Sequence, residues 1–250
     1  MKSFIFFLLT LFVIPLGWSQ SPTITVTSLE WPPYTSEGLK DLGASAAVAT
    51  EAFKVMGYDL KIEFYPWNRA VQMAKQSRGY VGYFPEYYSQ EIAADFIYSD
   101  PMGSGPLGFV ERVDTPIVWS TLEDLKKYVI GTVLGYLNTD EFDALVAQGL
   151  IKTEAVVDDA TNLAKVANKR MPLAVIDPNV MRFLLKNEKS IIPYRDILQF
   201  NDRVLAVKEL YMCFKKGPDG EKYVKIFNEG LKRINVDKIM QDYFAALSKS

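Results

Sequence analysis

The sequence predicts an α/β protein organised as two lobes, and three observations carry that expectation. Strand-like runs alternate with helical patterns of about 10 to 15 residues, which implies βαβ units and parallel sheets. The scheme runs through once, meets a Gly/Pro-rich passage from Asp100 to Gly108, and then starts again. The chain of 250 residues is 49% hydrophobic and 23% charged, enough apolar material for two modest cores.

The elements follow in order. Thr23 to Ser28 alternates apolar and polar residues with β-branched content and reads as a strand, ending in the stiff loop Glu30-Trp31-Pro32-Pro33-Tyr34. Gly43 to Met56 is helical, with Gly57 as its stop, and Leu60 to Phe64 is the next strand. The helix Trp67 to Arg78 sets Trp67, Ala70, Val71 and Ala74 on one face. Strand Tyr80 to Phe84, a short helical stretch from Ser89 to Ala94, and Phe96-Ile97-Tyr98 complete the first round.

The second round opens on Ser120-Thr121-Leu122-Glu123, a capping-box pattern in which hydroxyl and carboxylate satisfy backbone N–H groups at a helix start. Strand Val129 to Leu134, helix Asn138 to Ala147, strand Glu154 to Val157 and a helix capped by Asp159 and running to Lys169 follow. Leu173 to Ile176 is a buried strand and Pro178 to Lys186 a helix; Val204 to Phe214 is extended. The tail carries two helices, Gly220 to Ile234 and Val236 to Leu247.

Composition excludes several kinds of chemistry. Lys+Arg 28 against Asp+Glu 30 leaves a net charge of −2, without the basic footprint that nucleic-acid binding needs. There is no His and one Cys, which removes Ser-His-Asp and Cys-His catalysis, the usual His/Cys zinc sites and an internal disulfide. No cofactor is implied.

The first nineteen residues read as a cleaved secretory signal: Lys2, an apolar run from Phe4 to Ile14, Pro15, then Gly17 and Ser19 at the −3 and −1 positions. The alternative is a membrane anchor, for which the run is shorter than the ~20 residues a bilayer requires. The mature protein is therefore expected to be exported.

The order of several segments completes a resemblance. "EWPPYT" after the first strand, "PWNRA", "FIYSDPM", "STLEDLKKYVIGTVLG", "AVIDPNV" and a final "VDKIMQDYF" together resemble bacterial extracellular solute-binding proteins of family 3, the amino-acid-type receptors of ABC importers. The resemblance implies the type II periplasmic binding protein fold, with two lobes joined by two crossover strands. Its expected division is residues 1–19 as signal, 20–104 and 208–250 as the first lobe, and 105–207 as the second. It implies a periplasmic monomer, a small-molecule solute held in the interlobe cleft, and a membrane permease as partner.

By the same resemblance, Trp31 falls where an aromatic lies against the ligand, and Asp177 where a carboxylate receives an α-ammonium group. Two departures stand out. The stretch Pro85 to Ile92 contains no Arg where the family places its carboxylate clamp, and Gly135-Tyr136-Leu137-Asn138 lacks the usual hydroxyl.

In parallel α/β sheets ligands settle beyond the carboxyl ends of strands, so the loops Glu30 to Tyr34, Tyr83 to Tyr88, Leu134 to Asn138 and Asp177 to Asn179 hold the candidates. Trp31 and Tyr34 offer rigid ring surface beside two prolines, or else plug the lobe's core. Arg69 in the first turn of its helix could grip a carboxylate with its planar fork, or stand solvated. Trp67 is a candidate whose alternative is core packing. Tyr83, Glu86 and Tyr87 belong to the densest aromatic cluster, with Phe84 and Tyr88; Tyr83 and Phe84 must face opposite ways on a strand. Glu86 either receives a cationic group or is a solvated rim carboxylate. Asp177 suits both helix capping and ligand contact. Aromatic surface with Glu86 and Asp177 fits an amine, a cationic amino acid or a short polar solute. The competing readings are an enzyme resembling the cyclohexadienyl dehydratases and a ligand-presenting sensor for a membrane receptor.

Overall fold

The computed structural model describes residues 21–249, so the expected signal lies outside the described residues. The first run of chain forms β1 (Thr23–Ser28), α1 (Ala44–Lys54), β2 (Asp59–Phe64), α2 (Trp67–Gln76), β3 (Gly82–Glu86), α3 (Gln90–Asp95) and β4 (Phe96–Tyr98). The second forms β5 (Ser104–Arg112), β6 (Val129–Val133), α4 (Asp140–Ala147), β7 (Lys152–Val156), α5 (Asp159–Ala167), β8 (Leu173–Ile176), α6 (Pro178–Asn187), β9 (Leu198–Phe200) and β10 (Ala206–Glu209). β11 (Tyr211–Lys215), α7 (Pro218–Arg233) and α8 (Val236–Lys249) close the described chain.

Two sheets result. One has the order β2-β1-β3-β11-β4; the other runs β10-β5-β8-β6-β7, with β9 on β5. The βα portions pair in parallel, as expected: β1 with β2 and β3, and β6 with β7 and β8. The strands that carry the chain between sheets pair antiparallel: β11 with β3 and β4, β5 with β8 and β10. The sheets are therefore mixed, because a strand entering from the opposite unit needs no helical crossover.

The extended segment Val204 to Phe214 holds two strands in different sheets, divided at Leu210. There the chain crosses between sheets beside the Asp100 to Gly108 passage. The Met102 N–H donates to the Leu210 carbonyl (2.8 Å), and the Leu210 N–H donates to the Gly103 carbonyl (2.8 Å). Met102 and Leu210 are buried.

Other boundaries shift for identifiable reasons. The capping box uses Thr121 and Asp124, one residue later than its pattern suggested, and opens a single 3-10 turn, Leu122–Leu125. The Asp124 carboxylate accepts the N–H groups of Ser120 (2.8 Å) and Thr121 (3.0 Å). Asp158, not Asp159, caps α5 by accepting from the Thr161 N–H (2.7 Å). β3 reaches Glu86, which places that carboxylate at the strand end. The strand nature of 104–112 was hidden by its glycines and proline.

Each sheet has its own packing centre. Phe53 of α1 meets Phe227 of α7 and Phe214 of β11, at ring separations of 5.0 and 6.4 Å. Phe109 of β5 meets Trp119 and Phe142 at 5.6 and 6.2 Å. Tyr83 and Phe84, both fully buried, fall into different apolar clusters on opposite sides of β3, as strand geometry demands. Replacement Phe53→Ala should lower unfolding free energy by about 3 to 5 kcal/mol, through lost burial and the cavity left behind. Urea denaturation followed by far-ultraviolet circular dichroism measures it.

Candidate functional site

The loops after β1, β3, β6 and β8 converge between the two sheets. The first is a closed turn: Trp31 and Thr35 pair across it, with the Trp31 N–H donating to the Thr35 carbonyl (2.7 Å) and the Tyr34 N–H to the Trp31 carbonyl (2.9 Å). Pro32 and Pro33 lack N–H donors and have fixed φ, so the turn presents its two rings together. Trp31 and Tyr34 stack at 4.4 Å with planes 19° apart.

Two ring donors from the first unit reach acceptors on the second, and a third ring, Trp31, lies beside the Asp159 carboxylate and opposes the rise of its pKa. The Tyr34 hydroxyl donates to Asp177 Oδ2 at 2.8 Å and accepts from Asn179 Nδ2 at 2.8 Å. Trp67 Nε1 donates to the Gly135 carbonyl at 3.0 Å. Rings suit this task because each buries a large apolar body while its polar tip is satisfied.

Two glycines make the approach possible. A Cβ on Gly135, whose φ is +81°, would stand 2.1 Å from Asn68 Oδ1; one on Gly105 would stand 2.4 Å from both Tyr34 Oη and Asp177 Oδ2. Asp177 is also the N-cap of α6. Its Oδ1 accepts the N–H groups of Asn179 (2.6 Å) and Val180 (3.3 Å), with Pro178 in the first turn.

A cavity of about 30 Å³ lies in this convergence, room for roughly two waters. Its walls are the rings of Trp31, Trp67, Tyr87 and Tyr136, the carboxylate-bearing Glu86, and the apolar Leu29, Pro85, Leu137 and Leu210. Tyr87 meets Trp31 edge-on at 6.3 Å, and Tyr136 meets Trp67 edge-on at 6.0 Å.

Burial dominates the electrostatics. Glu86 is 5% exposed. Its Oε1 accepts the Tyr87 N–H (2.8 Å) and its Oε2 the Tyr83 hydroxyl (3.0 Å). Desolvation pushes its pKa up to about 8, against the opposing pull of those hydrogen bonds and of Lys208. Asp159 is pushed up to about 7 by burial, then by Asp177 and Asp158, with Trp31 opposing. Asp177 rises to about 6 by burial, moderated by Tyr34 and the α6 N–H groups.

The site candidates thus divide. Trp31, Trp67, Glu86 and Tyr87 line the cavity. Tyr34 and Asp177 bond to each other beside it, and Tyr83 lies behind it, fully buried and holding Glu86. Arg69 is on the exposed side of α2, its guanidinium 5.1 Å above the Tyr65 ring. Tyr88 is 49% exposed and leans on Tyr98. Asp159, Tyr136 and Gly135 were not singled out as site residues from sequence. For Asp159 a signal existed: it shares the helical spacing of Asn162, Leu163 and Val166, the buried face of α5.

No family model matches the chain, and no curated protein sequence matches it. Solved structures do. A histidine kinase sensor domain with similarity to periplasmic binding proteins superposes with TM-score 0.74 at 18% identity, covering 92% of this chain and 96% of that one. The GluR0 ligand-binding core from Nostoc punctiforme in complex with L-glutamate gives 0.70 at 17%, covering 88% and 97%. The ancestral amino acid-binding protein AncCDT-1, a precursor of cyclohexadienyl dehydratase, gives 0.69 at 17%, covering 89% and 95%. The chain has the two-lobe periplasmic binding protein fold. Among the described residues no helix is long and apolar enough to cross a membrane.

The buried carboxylates set a pH dependence. An acid whose folded pKa exceeds its unfolded value contributes stability at low pH and loses it as pH rises through that interval. For Glu86 the interval runs from the ordinary 4.5 to about 8, and for Asp159 and Asp177 from 3.8 to about 7 and about 6. Glu63 and Asp114, held low by Lys61 and Arg112, finish titrating below it. The melting temperature should therefore fall between about pH 5 and 8, and Glu86→Gln should flatten that fall. Differential scanning fluorimetry across pH checks both.

Proposed function

We propose that the protein is a periplasmic solute receptor of the family 3 type, which captures an amino acid, amine or related polar molecule between its lobes and presents it to an ABC-type permease. In this reading residues 1–19 direct export, residues 20–104 with 208–250 form one lobe, and 105–207 form the other. The supporting observation is the convergence of Trp31, Trp67, Glu86, Tyr87 and Tyr136 from both units on one cavity. The crossings at Gly103 and Leu210 lie side by side, so rotation there would part the walls. The Tyr34–Asp177 and Trp67–Gly135 bonds are the contacts that closure makes and opening breaks.

A sensor reading draws on the histidine kinase sensor domain among the structural neighbours. An enzyme reading draws on the dehydratase precursor, itself described as an amino acid-binding protein. Glu86 and Asp159, raised toward neutrality, have the protonation behaviour a general acid or base needs. Capture without turnover is favoured because both oxygens of Glu86 already accept a structural donor, the Tyr83 hydroxyl and the Tyr87 N–H.

A thermal-shift panel of amino acids, polyamines, dicarboxylates and small aromatic acids tests the reading. A solute present at a hundredfold its Kd should add about 2.7 kcal/mol of stability. Trp31→Ala should abolish the shift while cooperative unfolding persists. Mass spectrometry of the recovered solute should find it unchanged; conversion would establish an enzyme.

A further inference from the structure

We infer that the cleft takes a small organic cation without a carboxylate, a protonated amine, enclosed by the rings of Trp31, Trp67, Tyr87 and Tyr136 with Glu86 as its counter-ion. The inference rests on the solute-capture reading and narrows it to a ligand class.

The cavity walls carry it. Four of the nine wall residues are aromatic, and ring faces attract a cation more strongly when water is excluded. Glu86 is the one carboxylate in the wall, and each of its oxygens accepts a single donor, which leaves it acceptor capacity. Asp177 is more fully engaged, with two backbone donors on Oδ1 and the Tyr34 hydroxyl on Oδ2.

Charge selects against an anion. The carboxylates near the cavity are Glu86, Asp159 and Asp177, and no Lys or Arg is among its walls. The groups that face Glu86 are Tyr83, Tyr87, Tyr98, Tyr136, Cys213 and Lys208, of which Lys208 alone is cationic. Lys208 lies on β10 with its ammonium 5.2 Å over the Tyr87 ring. The chain itself thus sets an ammonium against one of these rings. A ligand carboxylate would lose its hydration and meet neither a guanidinium nor an ammonium in the wall. Arg69, the residue best suited to hold one, sits over Tyr65 on the exposed side of α2.

Isothermal titration calorimetry of the full chain, at a pH above the Glu86 titration, uses methylammonium and tetramethylammonium chloride as probes. tert-Butanol serves as a neutral shape analogue, and L-glutamate and L-arginine as carboxylate-bearing competitors. Methylammonium should bind, tert-butanol about tenfold more weakly or not at all, and Glu86→Gln should lose about tenfold or more in affinity. Near the Glu86 titration, binding should release protons, seen as a heat that varies with the buffer in the parent and not in Glu86→Gln. Tighter binding of L-glutamate or L-arginine than of either ammonium overturns the cation class and leaves solute capture standing. So does failure of methylammonium beside a hit elsewhere in the thermal-shift panel. Unchanged affinity in Glu86→Gln overturns the counter-ion role. No hit of any class overturns both the inference and the reading beneath it.

Discussion

Three carboxylates, Glu86, Asp159 and Asp177, are taken out of water where the two units of this molecule meet, and the rest of the site is arranged around that cost. A carboxylate stripped of water is tolerated when donors replace the lost hydration or when it holds its proton. The chain uses both means. Backbone N–H groups and the Tyr83 and Tyr34 hydroxyls supply hydrogen bonds, and the remaining imbalance appears as pKa values raised toward neutrality.

The donors are rings, and this ties electrostatics to architecture. Tyr34 and Trp67 leave the first sheet's side and end on Asp177 and Gly135 of the second. Each contact joins a polar bond to apolar packing, so separation of the units exposes ring surface and strips donors from carboxylates together. The bare Cα atoms of Gly105 and Gly135 let the backbones come close enough for those bonds. Cohesion between the units is thus concentrated in a few side chains next to the crossings.

The meeting of the strand-end loops was legible in the order of the chain. Loops that follow parallel strands are the places where an α/β sheet exposes side chains toward a ligand, and that rule pointed to Trp31, Glu86, Tyr87 and Asp177, which the fold brings together between the two sheets. Asp177 was expected as both cap and ligand acceptor; its capping is realised, with the Tyr34 hydroxyl as its other partner. Arg69 shows where local reasoning ended. Its position in the first turn of α2 was correctly assigned to a face other than the Ala70/Ala74 stripe, but which surroundings that face meets depends on Tyr65 and on the packing of α2 against β1 and β3. Asp159 was assigned to the wrong end of a two-residue choice, since Asp158 and Asp159 are equally good caps in isolation and the burial of α5 selects between them.

Periodicity and composition determined the alternation of strands and helices, the doubling of the α/β scheme, the lack of histidine and of a cysteine pair, and the loops that meet between the sheets. These depend on residue spacing and side-chain type, which are local. Tertiary structure alone decided that the division between sheets falls at Leu210, that β5 is a strand despite its glycines, and that Tyr136 joins Trp31 and Glu86 around one cavity. Those outcomes depend on contacts between residues far apart in the chain, and on how much water each contact excludes.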